Sequence, residues 1–462
     1  MATIAHWKRR VKLGLFTDPM ISKVLGDGQI ERRCREAGHQ WRRSFWSPGM
    51  TMLTFLLQVL HETKTLRAAV ACLLTHVAAH DEVPLPTADP SAFCQARKRL
   101  PLAVFHRLVR DVARHLDGLV TQADTWLDHR LWVVDGSSVS MPDTPDLQAA
   151  FPQPPGQKKG CGFPIAQFVA VFCWHTGALA ALAIDSIRPH EVSLWRRLWD
   201  HFAPGDVVLA DRAYCSYVDL ARLQQRGVHA IVRLHQRRKA DFRTGRKLGP
   251  DDIRVTWERP RQWLPSMGLA KEAFLRLPES MPIRIVRIRD VPPGFRSQNL
   301  LVATTLLDPV QTSATAIRAI YRDRWTAEVN LRSLKTGLGM DVLRGQSADM
   351  VRKEIAVHAI TYNLIRLLMW HAARRHGGSV HRLSFQGTLH RVDVMVSYVL
   401  GAGNRGQRAR LRTCLLEWIA RDIVPDRPNR REPRRPKRRP KAYSLLTKPR
   451  EWYHIHGDKH AR

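Results

Sequence analysis

The chain has 462 residues, of which 44% are hydrophobic and 8% aromatic, so it is long enough for roughly two to four folded units. Lys and Arg total 74 against 41 acidic residues, which gives a net charge of +33. A compact chain with this charge repels itself unless its partner is a polyanion, so nucleic acid is the expected partner. No apolar run approaches the ~18 residues of a membrane-spanning helix, so no membrane partner is expected.

The seven cysteines are dispersed and form no Cys-x2-Cys pair, and the basic N-terminus lacks the apolar block of a secretory signal. Reduced thiols, a cytoplasmic location and burial of all seven cysteines as small hydrophobic residues are therefore expected.

Residues 1–125 are predicted to be helical, because apolar residues recur at helical spacing. One helix is expected to begin at Asp89-Pro90 and to carry Arg97, Lys98 and Arg99. These basic residues would suit a helix-turn-helix that binds DNA. The alternative is a helical bundle that only packs on the next domain.

From residue 126 to 234 the pattern changes to short β-branched runs separated by helical segments. Their order is three strands, helix, strand, helix, strand, and the first three strands are joined as in an antiparallel meander. This order predicts the first part of an RNase H-like α/β core. The five predicted strands are 131–135, 165–174, 178–185, 206–211 and 229–234.

Four further units are predicted along the rest of the chain. They are a β-rich insertion (235–298), a second part of the core (299–380) with a helix from Ser313 to Lys335, C-terminal helices (381–424), and a basic tail (425–462). Proline and arginine dominate the tail between 425 and 441. We expect that segment to be a disordered arm that binds phosphate without base specificity.

Two aspartates are expected to end apolar strands of this core. Asp135 precedes Gly-Ser-Ser, and Asp211 precedes Arg-Ala-Tyr. The carboxyl ends of strands are where open α/β sheets bind ligands. Two carboxylates on neighbouring strand ends would repel each other unless a divalent cation lies between them. The pair suggests a metal site without establishing one.

The helix predicted over 313–335 carries Tyr321, Arg324, Glu328 and Lys335 within about 60° of one face. Glu328 would lie at the margin of the buried face, within reach of a metal held by the aspartates. Arg324 and Lys335 would bind phosphates, and Tyr321 would hydrogen-bond or stack at a strand end. The alternative is an ordinary amphipathic helix with a basic flank.

The spacing Tyr-x2-Arg-x3-Glu-x6-Lys resembles the signature of bacterial insertion-sequence transposases of type four, a DDE group of cut-and-paste elements. The strand motifs at Asp135 and Asp211 occur in the order found in that family, and the 117 residues from Asp211 to Glu328 leave room for the family's β-rich insertion. The resemblance covers roughly residues 130–375.

The resemblance implies that Asp135, Asp211 and Glu328 bind two Mg²⁺ ions, with Mn²⁺ as an expected substitute, and carry out phosphodiester cleavage and strand transfer. It adds Arg212, as a residue of the second motif, to the expected DNA contacts. The implied partners are double-stranded DNA, as terminal inverted repeats and as target, and a second copy in an end complex. The implied location is the bacterial cytoplasm, at the nucleoid. Trp257 and Trp263 are candidates to stack on a flipped base.

Two other functions remain open at this stage. An RNase H-fold nuclease without strand transfer would give no joined products. A non-catalytic DNA-binding relic of a transposase would have no use for the three carboxylates.

Overall fold

The computed structural model describes residues 19–42, 44–80, 85–289, 299–402, 404–425, 443 and 445–456. It is a mixed α/β fold with a large central sheet, as predicted. The predicted basic arm, apart from residue 425, lies outside the described residues. No helix in these ranges is both long and apolar enough to cross a bilayer.

Within the described residues, six α-helices precede the sheet. Ser47 caps the third through its side chain, with Pro48 in the first turn, and Asp89 accepts a hydrogen bond from the Ser91 amide at the start of the fifth. The helices are α1 (Pro19–Leu25), α2 (Asp27–Glu36), α3 (Pro48–Leu60), α4 (Leu66–His80), α5 (Ser91–Arg99) and α6 (Leu102–Asp117).

These helices share a hydrophobic core with later parts of the chain, so the N-terminal region packs against the sheet and the later helices. Arg97 is buried, donates to Gln58 at 3.1 Å and lies over the rings of Phe55 and Phe93. Its predicted DNA contact is therefore wrong in this structure, whereas Lys98 and Arg99 on the same helix are exposed.

In the part of the chain that the structure describes, nine strands form one sheet in the order β3-β2-β1-β4-β5-β9-β8-β7-β6. β1 pairs antiparallel with β2 and parallel with β4, and β4 pairs parallel with β5. The predicted meander followed by parallel crossovers is thus present. The strands of this half are β1 (Leu131–Ser140), β2 (Ile165–Cys173), β3 (Leu179–Ser186), β4 (Val207–Ala210) and β5 (His229–Arg233); its helices are α7 (Pro145–Ala150), α8 (Glu191–Arg196) and α9 (Tyr217–Gln225).

The predicted insertion is rich in strands, but these strands extend the central sheet. The link is β9 (Leu300–Thr304), which the sequence analysis did not predict and which pairs with both β5 and β8. The other elements of this segment are β6 (Arg246–Gly249), β7 (Asp252–Glu258), α10 (Lys271–Leu275) and β8 (Ser280–Ile288). The buried pair of Arg284 with Asp252 ties β8 to β7.

The predicted helix 313–335 is three consecutive helical segments: α11 (Ala314–Arg322), α12 (Trp325–Arg332) and a π-helical turn (Ser333–Gly337). Between α11 and α12 the backbone uses i→i−3 hydrogen bonds, such as Thr326 N to Asp323 O at 2.8 Å. The later helices are α13 (Ala348–His376), α14 (Phe385–Gly401), α15 (Arg405–Arg421) and α16 (Arg450–His456).

Two hydrophobic clusters lie on the two faces of the sheet. The side chains of Leu131 and Val133 belong to the cluster that contains α11 to α13, and those of Trp132 and Val134 belong to the cluster that contains α8 and α9. This alternation along β1 decides which helices reach the residues that follow it.

Candidate active site

The strand register places Asp135 beside Asp211. β1 and β4 are paired in parallel at Leu131–Val207, Trp132–Val208 and Val133–Leu209. Continued by two residues beyond the last pair, this register would set Asp135 opposite Asp211, the residue that follows the end of β4. Both lie on the sheet face of Val133 and Leu209, the face covered by α11 and α12.

Asp135 does not end its strand, contrary to the sequence prediction. β1 continues to Ser140 because its far side remains paired with β2 through the Asp-Gly-Ser-Ser segment. The pairing of β1 with β4 ends just before Asp135. The two strands separate there, which leaves the edge of the sheet open at the two aspartates. The amide of Gly136 donates to Asp135 Oδ1 at 2.9 Å.

Tyr321 fixes α11 to the end of β4. Its side chain is buried, and its hydroxyl donates to the carbonyl oxygen of Ala210, the residue before Asp211, at 3.3 Å. The predicted hydrogen bond at a strand end is therefore present. Burial of the ring argues against the predicted direct contact of Tyr321 with DNA.

Replacing Tyr321 by Phe should preserve the packed ring and remove only this hydrogen bond. We expect a stability loss of ~1 kcal/mol, a fall in melting temperature of roughly 1 °C, and unchanged affinity for DNA ends. Thermal melting and a DNA-binding titration measure both quantities. If Tyr321→Phe bound DNA ends more weakly while its melting temperature stayed unchanged, the tyrosine hydroxyl would have to contact DNA directly.

Arg324 is the cation among the predicted carboxylates. Its guanidinium donates to Glu328 Oε1 at 2.8 Å, one turn later, and its side chain is only 14% exposed. Burial lowers the Arg324 pKa, but its interactions with Tyr321, Glu328 and Asp211 outweigh this, so that the pKa is raised. Arg324 thus carries a firmly held positive charge beside the acidic residues.

Burial raises the pKa of Asp135 to about 6. Arg324 and the Gly136 amide oppose this rise, whereas the negative charges of Glu328 and Glu191 add to it. Asp135 is therefore a carboxylate kept in an unfavourable environment, and a bound divalent cation would relieve it.

Lys335 and Arg212 border the same edge of the sheet. Lys335 Nζ donates to Ser137 Oγ at 2.8 Å, which ties the π-helical turn to β1. Arg212 is exposed and donates to Gln236 Oε1 at 2.9 Å. Tyr321 thus contacts the end of β4 and Lys335 contacts β1, while Arg324 and Glu328 pair with each other between them along the chain.

Glu191 is a residue of the site that the sequence analysis missed. It begins α8, directly after β3, and its Oε1 accepts a hydrogen bond from the hydroxyl of the buried Tyr214, the tyrosine of the Asp-Arg-x-Tyr motif. A Cβ atom added at Gly136 would overlap the Glu191 carboxylate. A glutamate at the start of the helix that follows β3 was the available signal, but its proximity to β1 depends on tertiary packing.

The donor set is chemically suited to a divalent cation, because carboxylate oxygens are the ligands that Mg²⁺ prefers. Among the described residues, however, no three His, Cys, Asp or Glu side chains are close enough together to hold a metal ion as they stand. The ion pair between Arg324 and Glu328 is one reason, since it directs Glu328 towards the arginine.

Other candidates have partners elsewhere. Arg238 covers the ring of Trp257 at 3.8 Å, so a base could not stack on that face, and the Trp263 ring nitrogen donates to Leu269 O. Two other aspartates of this part of the chain form ion pairs: Asp143 with Arg450, and Asp185 with Arg197. Glu354 accepts backbone hydrogen bonds from residues 344 and 345 and therefore braces the loop before α13.

The seven cysteines form no disulfide, as expected. Their burial is only partly as predicted, because Cys72 and Cys94 are half-buried and Cys414 is exposed.

Residues 126–364, more than half of the chain, match the family model of the transposase DDE domain. The chain belongs to this family of DNA transposases, enzymes that cleave DNA and transfer its strands.

It is also 25% identical over 370 residues to the transposase InsG for insertion sequence element IS4 of Escherichia coli (strain K12), with 79% of this chain and 80% of that protein covered. The resemblance to insertion-sequence transposases of type four is thereby confirmed. A solved structure of the piggyBac transposase synaptic complex with hairpin DNA aligns with a TM-score of 0.41 and 9% identity, over 88% of this chain and 84% of that one.

Proposed function

We propose that the chain cuts and rejoins the ends of an insertion sequence by cut-and-paste transposition, with Asp135, Asp211 and Glu328 binding Mg²⁺ in an RNase H-like core. The observation that supports this most strongly is the register that sets Asp135 opposite Asp211, inside a DDE domain and under the helix of Glu328. The order and directions of β1 to β5 support the RNase H-like assignment.

When bound, divalent cations stabilise negative charge on the attacked phosphate and activate the attacking hydroxyl group. Asp135 and Asp211 would hold them at the sheet edge. Glu328 would join once it separates from Arg324, and the released guanidinium could then bind a phosphate. Lys335 is positioned to bind a second phosphate beside Ser137.

The N-terminal helices are the proposed recognition region for the terminal inverted repeats, through Lys98 and Arg99 of α5 and not through Arg97. The net charge of +33 supports a large electrostatic share in binding. Two copies are proposed to pair the two ends.

Arg212 offers a clean test of phosphate binding, because it is exposed and donates its hydrogen bond to the side-chain amide of Gln236. Arg212→Ala should weaken binding to all DNA ends and reduce the slope of log affinity against log salt by ~1. Arg226→Ala is the matched control, since Arg226 is also exposed but lies near the opposite edge of the sheet, before β5. If the salt slope of Arg212→Ala equalled that of Arg226→Ala, Arg212 would not be a phosphate contact.

The function is tested with purified full-length protein and DNA carrying the repeats that flank its gene. In Mg²⁺ we expect cleavage at the element boundary and joining of the released 3′ ends to a second duplex, with neither product in EDTA. Cleavage without joined strands would indicate the nuclease. Binding without cleavage, in Mg²⁺ and Mn²⁺ alike, would indicate the non-catalytic relic.

A further inference from the structure

Two residues of the strand motifs have no role in the function proposed so far: Gly136, which follows Asp135, and Tyr214, which ends Asp-Arg-x-Tyr. Both contact the same side chain, the carboxylate of Glu191. Glu191 is half-buried at the first residue of α8, and α8 packs against β2 and β3.

The alternation of side chains along β1 explains the contact with Gly136. Residue 136 faces the side of Trp132 and Val134, where α8 packs, whereas Asp135 faces the side of α12. Because residue 136 is a glycine, the space that its side chain would fill is taken by the Glu191 carboxylate. Glu191 therefore approaches the site from the sheet face opposite Glu328.

Tyr214 holds Glu191 there. Its ring is buried and packs edge-on against Trp195 of α8, and its hydroxyl donates to Glu191 Oε1. Burial raises the pKa of Tyr214, and the negative charges of Glu191, Asp135 and Asp211 raise it further, so the hydroxyl stays protonated and remains a donor. One glutamate oxygen is thus fixed by the phenol, and the group is oriented towards β1.

We propose that Glu191 is a fourth acidic residue of the catalytic cation site, which supports bound cations beside Asp135 from the sheet face opposite Glu328. The inference rests on the proposed function. It gives Gly136 and Tyr214 a shared purpose: the first leaves room for the carboxylate, and the second orients it.

The test is the affinity of the full-length protein for Mn²⁺, measured by calorimetry without DNA and therefore independently of turnover. Glu191→Gln keeps an acceptor for Tyr214 but loses the charge, and should weaken Mn²⁺ binding by ~10-fold or more. Glu417→Gln, an exposed glutamate of α15 paired with Arg421, should bind as wild type. Asp135→Asn should abolish Mn²⁺ binding at this site.

The outcomes separate the two proposals. Loss in Asp135→Asn with unchanged affinity in Glu191→Gln would overturn the role of Glu191 and leave the cation site standing. Unchanged affinity in both variants would overturn the cation site itself, and the role of Glu191 with it.

Gly136→Ala provides a second test that does not change Glu191. The three atoms nearest the added Cβ all belong to the flexible end of Glu191, so the protein should fold with its carboxylate displaced. Mn²⁺ binding should weaken in the wild-type background and change no further in a Glu191→Ala background, where the space is free. Equal weakening in both backgrounds would show that displacement of Glu191 is not the cause.

Discussion

Asp135→Asn is expected to stabilise the metal-free protein while abolishing DNA cleavage. Burial is the main cause of the raised Asp135 pKa of about 6, against about 3.9 in an unfolded chain. A folded pKa above the unfolded one means that this carboxyl contributes stability below about pH 4, and that the contribution is lost as the pH rises through about 6.

At pH 8 the charged Asp135 therefore costs up to roughly 3 kcal/mol, and the neutral amide removes this cost. The melting temperature in EDTA should rise by roughly 1 °C for each kcal/mol recovered. The difference between variant and wild type should shrink below pH 6 as the wild-type carboxyl becomes protonated. Added Mg²⁺ should stabilise the wild type but not the variant.

Thermal melting between pH 4 and 8, with and without Mg²⁺, measures these effects. Asp200→Asn is the control, because its side chain is 90% exposed and pairs with Arg226 at the surface, so no gain is expected. An Asp135→Asn protein less stable than wild type at pH 8 in EDTA would contradict the account of this site.

The second large effect is expected for Glu328→Gln. The amide keeps an acceptor for Arg324 and nearly the same shape, so α12 should pack as before and binding of DNA ends should stay within about twofold. Cleavage should fall to background in Mg²⁺, because a neutral amide is a poor replacement for a carboxylate ligand of a divalent cation.

Gel-shift titrations and single-turnover cleavage on the same DNA ends give the two readouts. Glu417→Gln is again the matched control, because Glu417 also forms an ion pair with an arginine four residues away, far along the chain in α15. Cleavage by Glu328→Gln at the wild-type rate would remove Glu328 from the metal ligands.

Much of the core could be predicted because its signals are local. β-branched runs and the helices between them gave β1 to β5 in the right order, and the parallel pairing of β1 with β4 then follows from the crossover. The closeness of Asp135 and Asp211 follows as well, since both positions lie just past paired residues in one register.

What could not be predicted depends on packing between distant segments. β9 is short and joins the predicted insertion to the central sheet through partners on both sides. The sequence has no Gly or Pro at the break between α11 and α12 that would have predicted it. The break is a local change to i→i−3 hydrogen bonds at Asp323 and Arg324.

The environments of individual side chains could not be predicted from the sequence either. Arg97 belongs to a run of basic residues that suits DNA binding. Its guanidinium is nevertheless buried, where it packs on two phenylalanine rings and donates a hydrogen bond to Gln58. Glu191 lies 56 positions after Asp135 in the chain, and only the packing of α8 on the sheet brings it to Gly136.

The most direct measurement is excision and reinsertion, in cells, of a marked element bounded by the repeats that flank this gene, with wild-type protein and with Glu328→Gln. Excision and reinsertion by the wild type alone is the predicted result. Equal excision by both proteins would contradict the assignment of Glu328. Mg²⁺-dependent nicking by the wild type without any excision would contradict cut-and-paste transposition.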